Sequence, residues 1–264
     1  MTTEPVALRR ARLVVAYDGS GFHGFAENSG STLPTVMGVL RQTIERVVGT
    51  EVALVGAGRT DAGVHAWGQV VSGDVPATTD LANLAHRINR MCGPAIAVRA
   101  AEWSEDPDFS ARFSATWRHY RYTVLDAPVG VPLLAATAWH VPQPLNLWAM
   151  QLACDPLIGE HDFSSFCRRP KVTDDHPAPS LVRRVMQATW TTVDSDVGKL
   201  LRFEIRANAF CHQMVRAIVG TLVDVGAGAL RAGDVGTILR ARDRAKAGQV
   251  APPHALCLWD VGYD

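Results

Sequence analysis

The chain has 264 residues, 47% of them hydrophobic, with 26 basic against 26 acidic residues and a formal net charge of zero. That length can bury a real core as two modest domains or one large one, and the composition is that of an ordinary soluble protein. No run of about 18 apolar residues occurs and MTTEPVALRRARL has no apolar h-region, so neither a membrane span nor a secretory signal is expected, and a cytoplasmic location is. Cys92, Cys154, Cys167, Cys211 and Cys257 are odd in number, scattered and without a C-x-x-C pair. This argues against a disulfide framework and a zinc site, and for reduced thiols in or near the core. Nucleic-acid-binding domains are often basic, which this chain is not in sum. Its arginines nevertheless gather in Arg112/Arg118/Arg121, Arg168/Arg169/Lys171 and Arg183/Arg184, and its acids in Glu102/Glu105/Asp106/Asp108. Such segregation can build a basic face; equally, the arginines can be solvated surface that reflects genome composition.

In chain order, Arg12 to Tyr17 reads as a strand ended by Asp18-Gly19-Ser20-Gly21. A helix follows, capped by Thr32 or Thr35, with Val36, Val39, Leu40, Ile44, Val47 and Val48 at helical spacing and Gly49 as terminator. Val52 to Val55 and the stretch from Val64 onward read as two strands, the second alternating Val64, Ala66, Gly68, Val70 against His65, Trp67, Gln69, Val71. A second helix starts near Asp80, capped by Thr78 or Thr79, and Ala95 to Ala101 reads as a strand. The order β-α-β-β-α-β is the ferredoxin-like split arrangement, and the pattern recurs. Thr116 to Leu125, Arg183 to Val193, Leu200 to Asn208 and Leu256 to Val261 read as strands. Leu145 to Leu152, Cys211 to Val225 and Ala232 to Arg242 read as helices. The expected organisation is an α+β chain of two ferredoxin-like halves, 1–107 and 108–264, with a long irregular insertion at about 159–180 in the second.

Between the two strands lies Gly56-Ala57-Gly58-Arg59-Thr60-Asp61-Ala62-Gly63-Val64-His65, with three glycines, one cation and one carboxylate. An Asp in a tight turn often only accepts backbone N–H bonds. Here Arg59 can hold the carboxylate ionised if the pair is close, and the glycines permit close approach of a bulky ligand. Strand alternation puts Arg118, Tyr120, Tyr122 and Val124 on one face, where half-buried strand aromatics are the plain reading. After Leu201 to Ala207, a helical wheel over Asn208 to Gly220 sets Cys211, Met214, Val215, Ile218 and Val219 against His212, Gln213, Arg216 and Gly220, whose plain reading is a solvated polar face. His65, His119, His161 and His212 lack metal-ligand spacing, and neither a P-loop nor a full dinucleotide fingerprint occurs, so no metal and no nucleotide cofactor are expected.

These stretches carry a resemblance. GRTDAGVHAWGQV is similar to the signature of the A-type tRNA pseudouridine synthases, and DFSARFSATWRHYRY, NAFCHQMVRAIVG, YDGSGFHGF and GEHDFSSF are similar to further motifs of that family. The resemblance implies two ferredoxin-like (RRM-like) halves, a mostly antiparallel sheet and an active-site cleft between the halves. It implies isomerisation of specific uridines in the tRNA anticodon stem-loop by a homodimer without cofactors. It makes Asp61 the nucleophile with Arg59 as carboxylate partner, and sets Tyr120 against the target uracil, where the phenol can also act as base. Arg216 becomes a partner of the Asp61 site or of RNA phosphate, and His65, Arg118, Arg168 and Arg169 become substrate contacts. The chain departs from the family pattern at Gly24-Phe25-Ala26, where G-W-Q is usual, at Val36-Met37, where V-Q is usual, and at His254-Ala255-Leu256.

Two rivals remain open at this level. Ferredoxin-like repeats also build non-catalytic RNA-binding modules, and a carboxylate-dependent glycoside hydrolase would need a second positioned acid, which no residue near Asp61 supplies locally.

Overall fold

The computed structural model describes residues 7–27, 32–168 and 179–263. The fold is mixed α+β, and the chain divides into two compact units, Met1–Thr116 with Leu258–Asp264, and Trp117–Cys257. The division therefore falls later than 107/108, and the end of the chain returns to the first unit. The reason is visible in the segment before it. The Ala111 N–H donates to the Ser72 hydroxyl at 3.0 Å, and the Tyr263 hydroxyl donates to the Ala111 carbonyl at 2.7 Å. Residues near 108 are thus packed onto the first sheet and are not a linker. Among the described residues, no helix is long and apolar enough to cross a membrane.

The first unit runs β1 (Leu8–Tyr17), α1 (Val36–Val48), β2 (Leu54–Gly56), β3 (His65–Pro76), α2 (Leu81–Cys92) and β4 (Ile96–Trp103). The second runs β5 (Ala115–Asp126), β6 (Trp139–Val141), α3 (Leu147–Leu152), β7 (Gly159–Asp162), β8 (Val182–Val193), β9 (Lys199–Ala207), α4 (Met214–Gly226) and α5 (Asp234–Ala241), and β10 (Leu256–Tyr263) closes the chain.

In the first unit the strand order is β4-β1-β3, with both β2 and β10 also beside β3, and β1 is antiparallel to β3 and to β4. Alternation in β1 buries Ala11, Leu13, Val15 and Tyr17, while α1 buries Val36, Leu40 and Ile44 and α2 buries Leu81, Leu84 and Ile88. Thr35 is the cap of α1, accepting from the Gly38 N–H, and Gly49 ends it in the left-handed region at φ 78°. Asp80 itself, not Thr78 or Thr79, caps α2, because its carboxylate accepts from both the Ala82 and Asn83 N–H groups. The expected alternation in β3 gives way to burial on both faces through Gln69, Val70, Val71 and Ser72. One cross-strand pair fixes register: Arg10 lies opposite Asp74 and binds it through Nε at 2.6 Å and Nη2 at 3.0 Å. The Arg10 hydrogen bond holds the Asp74 carboxyl below the usual carboxylate range.

In the second unit the order is β5-β9-β8-β7, antiparallel throughout, with β6 parallel to the end of β5. β9 alternates as read, with Leu201, Phe203, Ile205 and Ala207 buried. The supposed irregular insertion begins with order, since Gly159–Asp162 pairs with Val182–Val185. Positions 169–178 lie outside the described residues. β6 has three residues, too few for alternation to register.

The α4 segment departs most from the reading. It begins at Met214, because Gln213 holds a left-handed φ of 63°, a conformation that costs about 1 kcal/mol or more outside glycine. Of its polar arc His212 is exposed and Gln213 and Arg216 are half-exposed, but Gly220 is buried and residues 248–251 run along it. The Gly248 N–H donates to Thr221 Oγ1 at 2.9 Å, and Ala251 N donates to the Arg216 carbonyl at 3.1 Å. In an exposed helix, Gly→Ala would stabilise by about 1 kcal/mol. At Gly220 a Cβ would overlap the Gln249 carbonyl oxygen. Gly220→Ala is therefore expected to lower the unfolding free energy by about 1–3 kcal/mol, read as an earlier urea midpoint at unchanged slope.

Candidate active site

The glycine-hinged stretch connects β2 to β3, and neighbouring residues fasten its backbone on several sides. Ala57 N donates to the Val70 carbonyl at 2.8 Å, and the Gln69 amide, fully buried, donates through Nε2 to the Gly58 carbonyl at 2.8 Å. Thr60 is clamped twice: its carbonyl accepts from Phe25 N at 3.1 Å, and its hydroxyl hydrogen-bonds the Tyr17 hydroxyl at 2.8 Å inside the protein. Val64 N then donates back to the Asp61 carbonyl at 3.1 Å, closing the turn. Thr60 is buried, Asp61 half-buried and Ala62 exposed, so the loop anchors one residue and presents the next.

The YDGSGFHGF stretch is the underside of this loop. Phe25 is 1% exposed, stacks on Tyr17 with ring centroids 5.9 Å apart, and fills the space a Cβ would need at Gly56. Gly24 adopts φ 95°, and a Cβ there would lie 3.1 Å from the Thr60 carbonyl oxygen. The departure from tryptophan at position 25 therefore sits in the core beneath the carboxylate. His65 is turned toward the same stretch, its Nδ1 3.1 Å from both Gly19 N and Asp18 Oδ1. The Ser20 N–H and hydroxyl, with His65, hold the Asp18 carboxyl below the usual range against the opposing effect of burial. Arg59 is exposed, and among the described residues no ion pair joins it to Asp61.

The other candidate residues belong to the second unit. Tyr120 is buried on β5, its ring edge-on to Phe210 at 5.0 Å. Tyr122, two residues on, is fully buried and donates its hydroxyl to the Pro252 carbonyl at 2.9 Å; burial pushes that phenol up, with Arg216 opposing. Arg118 donates to the Asn208 carbonyl at 2.8 Å, and Arg216 donates through Nε to the Ala251 carbonyl at 2.7 Å. The Arg168 side chain is exposed while its N–H donates to the His212 carbonyl at 3.0 Å. Arg169 and Lys171 lie outside the described residues. Among the described residues no group of three or more His, Cys, Asp or Glu side chains is placed to hold a metal ion.

Sequence reading missed Gln69 and the Tyr17–Thr60 bond. A lone amide in the buried run HAWGQVV was the available signal for the first; nothing local signals the second.

A half-buried carboxylate on a loop that rigid is suited to nucleophilic or acid–base chemistry. Over residues 13–114 and 153–264 the chain matches the family model described as tRNA pseudouridine synthase. The chain belongs to the tRNA pseudouridine synthase family. Among its relatives, a protein named tRNA pseudouridine synthase A from Corynebacterium glutamicum is 38% identical, with 96% of this chain and 89% of that protein covered. Proteins of the same name from Brevibacillus brevis and Gluconobacter oxydans are 38% and 36% identical, covering 97% and 98% of this chain and 100% and 92% of theirs.

Tyr17→Phe removes one half of the Thr60 clamp and leaves the threonine hydroxyl without that partner. It is expected to cost about 1 kcal/mol of stability in urea denaturation and to speed hydrogen exchange at the Phe25 amide.

Proposed function

We propose that this protein isomerises uridine to pseudouridine in tRNA, with Asp61 as nucleophile. The observation that carries the reading is the half-buried Asp61 on its fastened loop, within a chain that matches the synthase family along most of its length. The reaction breaks the bond from ribose C1′ to uracil N1, turns the base and joins C1′ to C5, with loss of the C5 proton and gain of one at N1. Reactants and product have the same composition, so no electrons are exchanged. A target base must leave its stack, at a cost of a few kcal/mol that aromatic stacking and phosphate contacts offset.

In this reading Tyr120 stacks on the uracil, and Phe210 sets the angle of its ring. Its edge-on packing against Phe210 favours the stacking role. Arg59 is exposed, which suits RNA phosphate better than the Asp61 carboxylate. His65 positions the loop from behind, and Arg118, Arg168, Arg169 and Arg216 supply phosphate contacts. The substrate region is the anticodon stem-loop, the assembly is a homodimer, and the location is the cytoplasm. The fold detail that accompanies the reading is a ferredoxin-like first half, supported by the order β1-α1-β2-β3-α2-β4 with β1 and β3 central, and a related second half.

Tritium release from tRNA carrying uridine labelled at C5 tests the activity. Wild type is expected to release label, and Asp61→Asn to do so at least about a thousandfold more slowly while still binding tRNA. Equal rates would remove Asp61 from the chemistry, and binding without release by the wild type would favour the non-catalytic RNA-binding reading. For the phosphate contacts, Arg168→Ala is expected to weaken tRNA binding and to reduce the slope of log affinity against log salt by about 0.7–0.9. An unchanged slope would take Arg168 out of the interface.

A further inference from the structure

A second short turn of the first unit lies directly against the end of the Asp61 loop. Asp18 caps the 3-10 turn Gly19–Gly21, its Oδ1 accepting from Ser20 N at 2.9 Å. A Cβ at Gly19 would overlap the Val64 carbonyl oxygen, so only glycine lets these two backbones come so close. Val64 is also the residue whose N–H donates to the Asp61 carbonyl at 3.1 Å. The 3-10 turn is fixed on its far side, with Asp18 N donating to the Ala95 carbonyl at 3.0 Å and Phe22 N to the Gly19 carbonyl at 3.1 Å. In packing this close, a movement of Gly19 is passed to Val64 and from there to the Asp61 turn.

One ring nitrogen fastens the two turns together, and its two partners ask opposite things of it. The Gly19 N–H donates to His65 Nδ1 at 3.1 Å, and Asp18 Oδ1 lies 3.1 Å from the same atom. An imidazole nitrogen accepts a hydrogen bond only when it carries no proton, and binds a carboxylate oxygen only when it does. Nδ1 therefore serves Gly19 or Asp18, and not both. In the neutral ring with its proton on Nε2, Nδ1 accepts from Gly19 while the carboxylate faces a lone pair. In the imidazolium, Nδ1–H donates to Asp18 in a charge-assisted bond, and the Gly19 N–H loses its acceptor. The Asp18 side chain is 59% exposed, so solvent screens the pair and its pull on the proton is modest. The other charged or titratable side chains on the elements beside the ring are Tyr17, whose hydroxyl hydrogen-bonds Thr60, and Arg59 and Asp61 of its own loop.

We propose that Asp18 and His65 are positioning residues for the isomerisation and that their hold on the Asp61 loop depends on one proton: neutral His65 ties Gly19 to the loop, and protonated His65 releases Gly19 and pairs with Asp18. The proton comes from solvent and stays on Nδ1; no other covalent bond changes. Release of Gly19 loosens its contact with Val64 and thereby the Asp61 turn, and a displacement on the order of an ångström at a positioned nucleophile can cost about a hundredfold in rate. The Asp18 carboxylate favours the charged ring, so acidification trips this latch at a higher pH with Asp18 present than without it.

The effect on rate rests on the isomerase reading; the change of partner at Nδ1 does not. Full-length protein at saturating tRNA is assayed by tritium release from about pH 5.5 to 8.5, and the Gly19 backbone amide is followed by NMR over the same range in 15N-labelled protein. The wild-type rate is expected to fall reversibly by at least about tenfold toward the acid end, with the Gly19 signal moving at the same midpoint. Asp18→Asn keeps an oxygen for Ser20 N but not the charge, and its midpoint is expected about 0.5 unit or more lower in pH. His65→Asn places an amide oxygen near the Nδ1 position, an acceptor that takes up no proton. Its rate is expected to fall less than about threefold from its own alkaline value, and its Gly19 signal to stay in place. A wild-type Gly19 amide that does not titrate, a titration that leaves the rate unchanged, equal midpoints for wild type and Asp18→Asn, or a full acid fall in His65→Asn would overturn the proposal. Should His65→Asn not fold, the comparison of wild type with Asp18→Asn decides. A wild type inactive at every pH would count instead against the isomerase reading, while the Gly19 signal would still decide whether His65 changes partner.

Discussion

The double clamp on Thr60 is the constraint from which the shape of the Asp61 loop follows. Its carbonyl is held by the Phe25 amide and its hydroxyl by the buried Tyr17 phenol, at 3.1 and 2.8 Å. The residue before Asp61 is thus held at both backbone and side chain, and the Val64 N–H bonds the Asp61 carbonyl from the other side. The surrounding parts serve that clamp: Gly24 allows the chain to pass under the loop, the Phe25 ring fills the space above Gly56, and Gln69 secures Gly58 from the side. Of the motif's glycines, Gly56 thus leaves room for packing while Gly63, at φ 79°, turns the chain.

How much of this could be read beforehand depends on the range of the interaction. The elements of the first unit were legible because their signals are local: alternation in β1, helical spacing in α1 with Thr35 and Gly49 at its ends, and the glycine cluster that marks a loop. Asp80 was placed one residue off as a cap, since Thr78, Thr79 and Asp80 are all capping residues and only the coordinates show which side chain reaches back to the N–H groups. The loop that carries Asp61 was legible because an aspartate between glycines in a strand connection is a small vocabulary. Arg59 illustrates the opposite case. Closeness in sequence suggests an ion pair; the Arg59 side chain is exposed, and among the described residues no ion pair joins it to Asp61.

The second unit was less transparent because its key segments are defined by what comes from far along the chain. A helical wheel sorted α4 into apolar and polar arcs on the assumption that one side meets water. The 248–251 segment runs along that side, so Gly220 is small for a backbone that passes close by, and the Arg216 Nε donates to a carbonyl of that segment.

The support beneath Asp61 comes from residues 17–25, a stretch separated from the loop by a whole helix. The ten residues from Gly56 to His65 are consequently not a portable module. Transplanted into another hairpin they would bring the carboxylate but leave behind the aromatic floor and the two anchors, and the transplanted aspartate would revert to an ordinary turn residue.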